Sequence, residues 1–209
     1  MTKYALLIID MINIFLAPES PYWNEEAKVR GRSAIPRILQ LAKAAREKNV
    51  PVIYVNHGLR RVGEGYDGGN VFESFEHLAR KRGYPKLPLT KEMKDMFLQG
   101  TKWTRTVDEL EPQDSDYVVR KNKGSGFYGG DLETLLQALE SDTLIVTGIS
   151  TEGCVRATCF DASNKGWKII VPREAVESCS EHTQQRGLED LSFSVKSVDE
   201  VLSLMEQTG

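Results

Sequence analysis

The chain has 209 residues, of which 40% are hydrophobic and 27% charged, and its formal net charge is −3. This balance is typical of a soluble globular protein and gives no electrostatic reason to expect binding to nucleic acid or to an anionic membrane. Because no apolar run approaches the roughly 20 residues that a membrane-spanning helix needs, we expect a cytoplasmic protein that occupies residues 1–209 as a single domain.

The first predicted element is the continuous apolar run at residues 4–9, which is typical of a strand buried on both faces of a parallel sheet. A helix of about 15 residues follows from residue 35, where apolar residues recur at helical spacing. A second buried strand at 52–55 ends in Asn56 and His57. We expect that strand end to lie beside Asp10, which follows the first strand.

The long stretch at residues 58–88 is rich in Gly, Arg, Lys and Glu and has no sustained apolar period. A stretch of this length is typical of a lid or of an oligomer contact, and we expect one short helix within it at 71–81. His77 in this stretch is interpreted as a surface residue. A further short helix is predicted at 91–98, and Trp103 either lines a pocket or fills core.

The second half of the chain continues the alternation of strands and helices. A third strand at 117–119 is followed by Lys121, and the loop at 124–130, with four glycines and the aromatic residues Phe127 and Tyr128, suits a pocket wall. Asp131 is expected to cap the next helix. The later elements are strands at 144–146, 168–171 and, at the edge, 193–195, with helices at 181–191 and 198–205. The alternation predicts an α/β fold with a doubly wound, mostly parallel six-stranded sheet, Rossmann-like, and helices on both faces.

Cys154 stands where the strand at 144–146 leads into a helix. A thiol there meets unpaired backbone N–H groups and the positive end of the helix dipole, which favour the thiolate that a nucleophile needs. The alternative is a small buried residue at a packing contact. The three cysteines are odd in number and lack CxxC spacing, which argues against a disulfide framework and a structural zinc site.

Asp10, Lys121 and Cys154 all stand at or just beyond the C-terminal end of a predicted strand. A parallel sheet brings such ends to one crevice, so we expect an acid, a base and a thiol to meet there as a catalytic group. As alternatives, Asp10 is a turn residue and Lys121 belongs to a solvated strand end.

The chain resembles the isochorismatase-like cysteine hydrolases over essentially its whole length. Three motifs carry the resemblance in the right order: residues 7–15 (LIIDMINIF), residues 121–127 (KNKGSGF) and residues 148–155 (GISTEGCV). One departure is Ile12, where many members have glutamine.

The resemblance implies that Cys154 is the nucleophile, Asp10 the general acid and base, and Lys121 the cation that holds Asp10 and stabilises the thiolate. It also implies a cis peptide between Ile149 and Ser150, which would direct the N–H groups of Ser150 and Cys154 toward a developing oxyanion. The expected reaction is attack on an amide carbonyl, with a thioester-type intermediate and release of ammonia.

The substrate expected from the resemblance is a small ureido or carbamoyl amide. Residues 55–59 (VNHGL) lack the Asp-x-His pair that holds a metal in nicotinamidases of this family, so neither a metal nor another cofactor is expected. The alternatives are a vinyl-ether hydrolase of the isochorismatase type, a nicotinamidase-like amidase and a non-catalytic binding protein. We expect a homo-oligomer, dimer or tetramer. The candidate substrate-binding residues are Phe15, Asn56, Trp103, Phe127 and Tyr128.

Overall fold

A parallel β-sheet forms the centre of the computed structural model, which describes residues 2–73, 76 and 89–207. The strands are β1 (Tyr4–Ile9), β2 (Val52–His57), β3 (Arg61–Val62), β4 (Gly65–Tyr66), β5 (Tyr117–Lys121), β6 (Thr143–Ile149), β7 (Lys168–Pro172), β8 (Val176–Glu177) and β9 (Val195–Lys196). The sheet order is β5-β2-β1-β6-β7-β9, and β8 also pairs with β6. These pairings are all parallel, while β3 and β4 form a separate antiparallel hairpin.

The helices between the strands cover both faces of this sheet. They are α1 (Asn13–Leu16), α2 (Glu25–Ser33), α3 (Ile35–Glu47), α4 (Lys91–Met96), α5 (Leu132–Ala138), α6 (Arg156–Asn164), α7 (Glu181–Asp190) and α8 (Val198–Glu206). Single 3₁₀ turns occur at Lys102–Thr104, Asp108–Leu110 and Arg173–Ala175, and a π-helical turn at Thr151–Val155 precedes α6. None of the described helices combines the length and the apolar composition that crossing a bilayer requires.

The core lies in two layers because β1 alternates its side chains between the two faces of the sheet. Leu6 and Ile8 face the layer that contains Ile38 of α3, whereas Leu7 and Ile9 face the layer that contains Leu136 of α5. Each of these side chains is buried completely. Burial of one such side chain contributes about 1.5–3 kcal/mol, which explains why the central strands read as unbroken apolar runs.

The predicted fold class is confirmed, with the addition of the short strand β8 beside the six strands of the main order. Helix α2 was not predicted, since it is mostly polar and begins with a side-chain cap in which Asn24 accepts from the Ala27 N–H. The expectation that the Asp131 side chain caps the next helix is wrong, because that side chain makes no cap hydrogen bond. The predicted strand at 193–195 is also wrong in position: Ser194 donates its backbone N–H into a turn with Leu191, so β9 begins at Val195.

The stretch at 58–88 opens with the β3–β4 hairpin. Residues 71–73 and 76 are helical, as predicted, and the rest of the predicted helix at 71–81, with His77, lies outside the described residues. The helix predicted at 91–98 is α4, which ends two residues earlier.

Candidate active site

The structure brings Asp10, Lys121 and Cys154 together at the C-terminal edge of the sheet. The Nζ atom of Lys121 lies 2.8 Å from Asp10 Oδ2 and donates to Cys154 Sγ at 3.4 Å. It also donates to the backbone carbonyl of Lys123 at 2.9 Å. The ammonium therefore donates two hydrogen bonds, to Cys154 and to Lys123, and forms an ion pair with the Asp10 carboxylate.

Asp10 is held in an unusual backbone conformation directly after β1. Its φ is 53°, in the left-handed region that non-glycine residues seldom adopt. The backbone N–H of Asp10 donates to Val55 O at 3.1 Å, and its Oδ1 accepts from the backbone N–H of His57 at 2.7 Å. Neighbouring strand β2 thus fixes both the backbone and the carboxylate, which is how a strained residue is maintained at a functional site.

The segment that carries Cys154 leaves β6 through a close contact with β1. Gly148 has a φ of 105°, and a Cβ at this position would lie 2.1 Å from the carbonyl oxygen of Ile9, so only glycine fits. One residue further along the chain, the peptide bond between Ile149 and Ser150 is cis, at the position that the resemblance implies. The π-helical turn then places Cys154 one residue before its end.

The surroundings of Cys154 favour the protonated thiol. Burial raises its pKa to about 12; the Lys121 ammonium opposes this shift, and the Asp10 carboxylate adds to it. The thiolate expected at a helix start stays a prediction. In the π-helical turn the Ser150 carbonyl accepts from the N–H groups of Gly153 at 2.9 Å and Val155 at 3.2 Å, so these two donors are already satisfied.

The pKa of Lys121 is also raised, which favours the charged form of this side chain. Burial alone would lower the pKa of this ammonium, but Asp10 and Cys154 outweigh burial and the pKa is raised. The charged form of Lys121 and the protonated form of Cys154 are therefore both favoured. A thiol has to lose its proton before it acts as a nucleophile, and the buried side chain of Asp10 is the candidate base beside Cys154.

Two of the predicted substrate-binding residues lie near this group. Phe15 is buried in an aromatic cluster, with its ring centroid 5.3 Å from Tyr22 and 6.0 Å from Phe97. Asn56 donates from Nδ2 to Thr106 Oγ1 at 2.9 Å. Asn56 also lines a cavity of about 320 Å³ together with His57, and Asp10, Lys121 and Cys154 are not among the residues that line it.

The other three predicted residues are placed differently. Trp103 is half-buried against the larger core layer, with Lys102 Nζ 4.3 Å from its ring centroid. Phe127 packs on Trp167 at 5.5 Å, beyond the C-terminal end of α6, whereas Cys154 precedes the N-terminal end of that helix. Tyr128 is 51% exposed. Among the described contacts, none brings these three side chains to the thiol.

Tyr22 belongs to the aromatic cluster around Phe15, and the sequence reasoning missed it. Its ring packs edge-on against Phe15 and, at 5.3 Å, against Phe97. Burial raises the pKa of its hydroxyl, and Cys154 and Cys179 make smaller contributions in the same direction. The only signal in the sequence is an aromatic residue in the loop that follows Asp10.

The described residues contain no cluster of three or more His, Cys, Asp and Glu side chains that could hold a metal ion. His57 is buried with its ring edge-on to Phe97 at 5.4 Å. The absence of a metal site stays a prediction.

The isochorismatase domain family matches residues 4–204. An N-carbamoylsarcosine amidase from Arthrobacter sp is 31% identical over 205 residues, which are 97% of this chain and 71% of the relative. Ureidoacrylate amidohydrolase RutB from Methylobacterium radiotolerans is 30% identical over 190 residues, 89% of this chain and 69% of the relative. The crystal structure of an isochorismatase-like hydrolase from Alkaliphilus metalliredigens superposes with a TM-score of 0.74 at 26% identity, covering 97% of this chain and 96% of that one.

Proposed function

The chain belongs to the isochorismatase family, and we propose that it is a cysteine-dependent amidohydrolase of a small ureido or carbamoyl compound. Amide C–N bond hydrolysis is the activity that the names of its relatives share. The finer proposal, covering the nucleophile and the substrate class, is supported by the residues described above.

The single observation that carries the proposal is the contact of one buried ammonium with both a carboxylate and a thiol. Lys121 joins Asp10 and Cys154 at 2.8 and 3.4 Å, and both Lys121 and Asp10 are excluded from solvent. A packing role for Cys154 does not explain a buried ion pair at its sulfur. A nucleophile with an adjacent base, oriented by a third group, does.

The first half of the reaction uses the groups as they rest. Asp10 takes the proton of Cys154 as Sγ attacks the amide carbonyl carbon, and Lys121 stays positive beside the sulfur as the S–C bond forms. Backbone N–H groups of Ser150 and Cys154 are the proposed donors to the oxyanion. Asp10 then returns the proton to the leaving nitrogen when the C–N bond breaks, which gives ammonia and a thioester-type intermediate.

The second half reverses the roles of the same groups. Asp10, again a carboxylate, removes a proton from water, which attacks the thioester carbon, and the proton returns to Cys154 as the S–C bond breaks. Atoms and charges balance without another reactant.

The substrate class rests on two arguments. Both relatives described above are named for carbamoyl or ureido substrates. The segment at the C-terminal end of β2, residues 55–59, contains one histidine and no carboxylate, so the metal ligands expected of a nicotinamidase are not found there. Isochorismate cleavage is the weaker alternative because it does not need a cysteine nucleophile.

A substrate panel tests the proposal. Ureidoacrylate, N-carbamoylsarcosine, nicotinamide and isochorismate are incubated separately with the purified chain, and ammonia and loss of each compound are measured. We expect ammonia from the ureido and carbamoyl compounds and little turnover of the other two. Turnover of nicotinamide or isochorismate alone would overturn the substrate class, and no turnover in a broader set of amides would favour a binding protein.

A further inference from the structure

Two buried side-chain hydrogen bonds hold the π-helical turn that carries Cys154. Thr151 donates from Oγ1 to Gln184 Oε1 at 2.6 Å, and Ser178 donates from Oγ to Glu152 Oε2. All four side chains are buried. Buried polar groups of this kind are retained where their partners are in place, because an unmade hydrogen bond there is costly.

The partners of the turn are themselves anchored to the sheet. Gln184 Nε2 donates to the carbonyl of Val176 at 2.9 Å, and Val176 belongs to β8, which pairs with Gly148 of β6. Helix α7 comes so close that a Cβ on Gly187 would lie 2.7 Å from the backbone nitrogen of Glu152. The turn is thus held between α7 and the sheet, with little freedom to shift.

Lys121 and Asp10 contact the sulfur on its other side. Lys121 donates to Cys154 Sγ at 3.4 Å, and the Asp10 carboxylate lies within hydrogen-bond reach of the thiol. The direction of the thiol relative to Lys121 and Asp10 therefore depends on how Gln184 and Ser178 hold the turn. None of the four hydrogen-bonding side chains takes part in the reaction described above. They are those of Thr151, Glu152, Ser178 and Gln184.

We propose that the Thr151–Gln184 and Glu152–Ser178 hydrogen bonds position the nucleophile, keeping Cys154 Sγ within reach of Lys121 and Asp10. Thr151, Gln184, Glu152 and Ser178 are positioning residues, since they act through the turn and do not contact the reacting atoms. The inference deepens the proposed function and rests on Cys154 being its nucleophile.

The test measures the reactivity of the thiol without any substrate. Iodoacetamide alkylation of Cys154 is followed by peptide mass spectrometry across a range of pH for the wild type, Thr151→Val and Thr151→Ser. Valine keeps the shape and removes the hydroxyl, whereas serine keeps the hydroxyl. Ser180→Ala is the matched control, because Ser180 Oγ caps the same helix α7 at the N–H of Thr183 without a contact to the turn.

Thr151→Val should slow alkylation at pH 7 about tenfold, since the lowering effect of Lys121 on the thiol pKa is lost as the sulfur moves away. Thr151→Ser and Ser180→Ala should both stay close to the wild-type rate, and thermal unfolding confirms that each variant is folded. Ser178→Ala breaks the second hydrogen bond and should act in the same direction, which also provides the test if Thr151→Val does not fold.

Wild-type alkylation in folded Thr151→Val and Ser178→Ala proteins would overturn the proposal. An equal slowing in Ser180→Ala would also overturn it, because a general loosening of α7 would then explain the effect. Failure of the substrate panel is a separate outcome, since alkylation reports the position of the thiol whether or not the proposed reaction takes place.

Discussion

The ammonium of Lys121 lies 2.8 Å from the carboxylate of Asp10, and both side chains are removed from solvent. The cost of taking two charges out of water offsets much of their attraction, so a buried pair contributes little net stability, while removing one partner typically costs about 3–5 kcal/mol. The pair is therefore better explained by its contact with Cys154 than by the stability of the fold. Variants of either residue need a measurement of folding beside the measurement of activity.

Asp10→Asn should keep the size of the side chain and remove the base. We expect turnover to fall by roughly 10²–10⁴-fold or more, which is the contribution typical of general acid–base catalysis. KM should change much less. Steady-state kinetics on the best substrate of the panel, at a temperature where the variant is folded, measures both constants. Near-normal turnover would remove Asp10 from the mechanism.

Lys121→Met should slow iodoacetamide alkylation of Cys154 at neutral pH. The ammonium lowers the pKa of the thiol against the effect of burial, so its removal raises that pKa further. Lys123→Met is the matched control, because Lys123 contacts Lys121 through its backbone carbonyl while its own Nζ donates to the carbonyl of Gly68. Slower alkylation in the Lys123 variant alone would reverse the assignment.

The fold was predictable from the chain because its central strands are buried on both faces. Leu7 and Ile8 point to opposite layers and are both fully buried, so an unbroken apolar run identifies the strand and the next residue, Asp10, falls at its end. Cys154 was predictable for the same reason, since β6 is buried throughout. Lys121 was predictable only from its position at a strand end, since β5 is an edge strand with Tyr117 and Val118 exposed. Helix α2 was not, since its polar composition gives no apolar period.

The parts of the site formed by loops could not be predicted. Phe127 follows a strand that ends at the site, yet its ring packs on Trp167 at the far end of α6, because the loop folds back along that helix. Tyr22 approaches the site only through its packing on Phe15 and Phe97, which are distant in sequence from each other. The raised pKa of Cys154 depends on burial, which local sequence does not reveal.

His57 should make the chain less stable in acid. Burial, and then the charge of Lys121, lower the pKa of His57 well below 6.5, although a hydrogen bond with the backbone of Lys123 opposes the shift. The unfolded chain then binds this proton at a higher pH than the folded chain does. The stability from the neutral ring is therefore present above pH 6.5 and lost as the pH falls below it.

Thermal unfolding of His57→Gln at about pH 7.5 and about pH 5 measures this effect, and the variant should lose less stability on acidification than the wild type. His182→Gln provides the control, since His182 is exposed on α7. Equal acid losses in the wild type and His57→Gln would contradict the assignment.

Removal of metal ions should leave the rate unchanged, because no step of the proposed reaction uses one. The rate of ammonia release is compared before and after prolonged dialysis against EDTA. Loss of activity that zinc, manganese or iron restores would show that the enzyme needs a metal, with His57 or His77 as the first candidates for ligands.

The covalent role of Cys154 is tested most directly by comparing the wild type with Cys154→Ala on the best substrate of the panel. The account predicts ammonia release and, after acid quenching, a substrate-derived mass on the Cys154 peptide of the wild type. Folded Cys154→Ala should release no ammonia and carry no adduct. Full activity in folded Cys154→Ala would contradict the proposed mechanism.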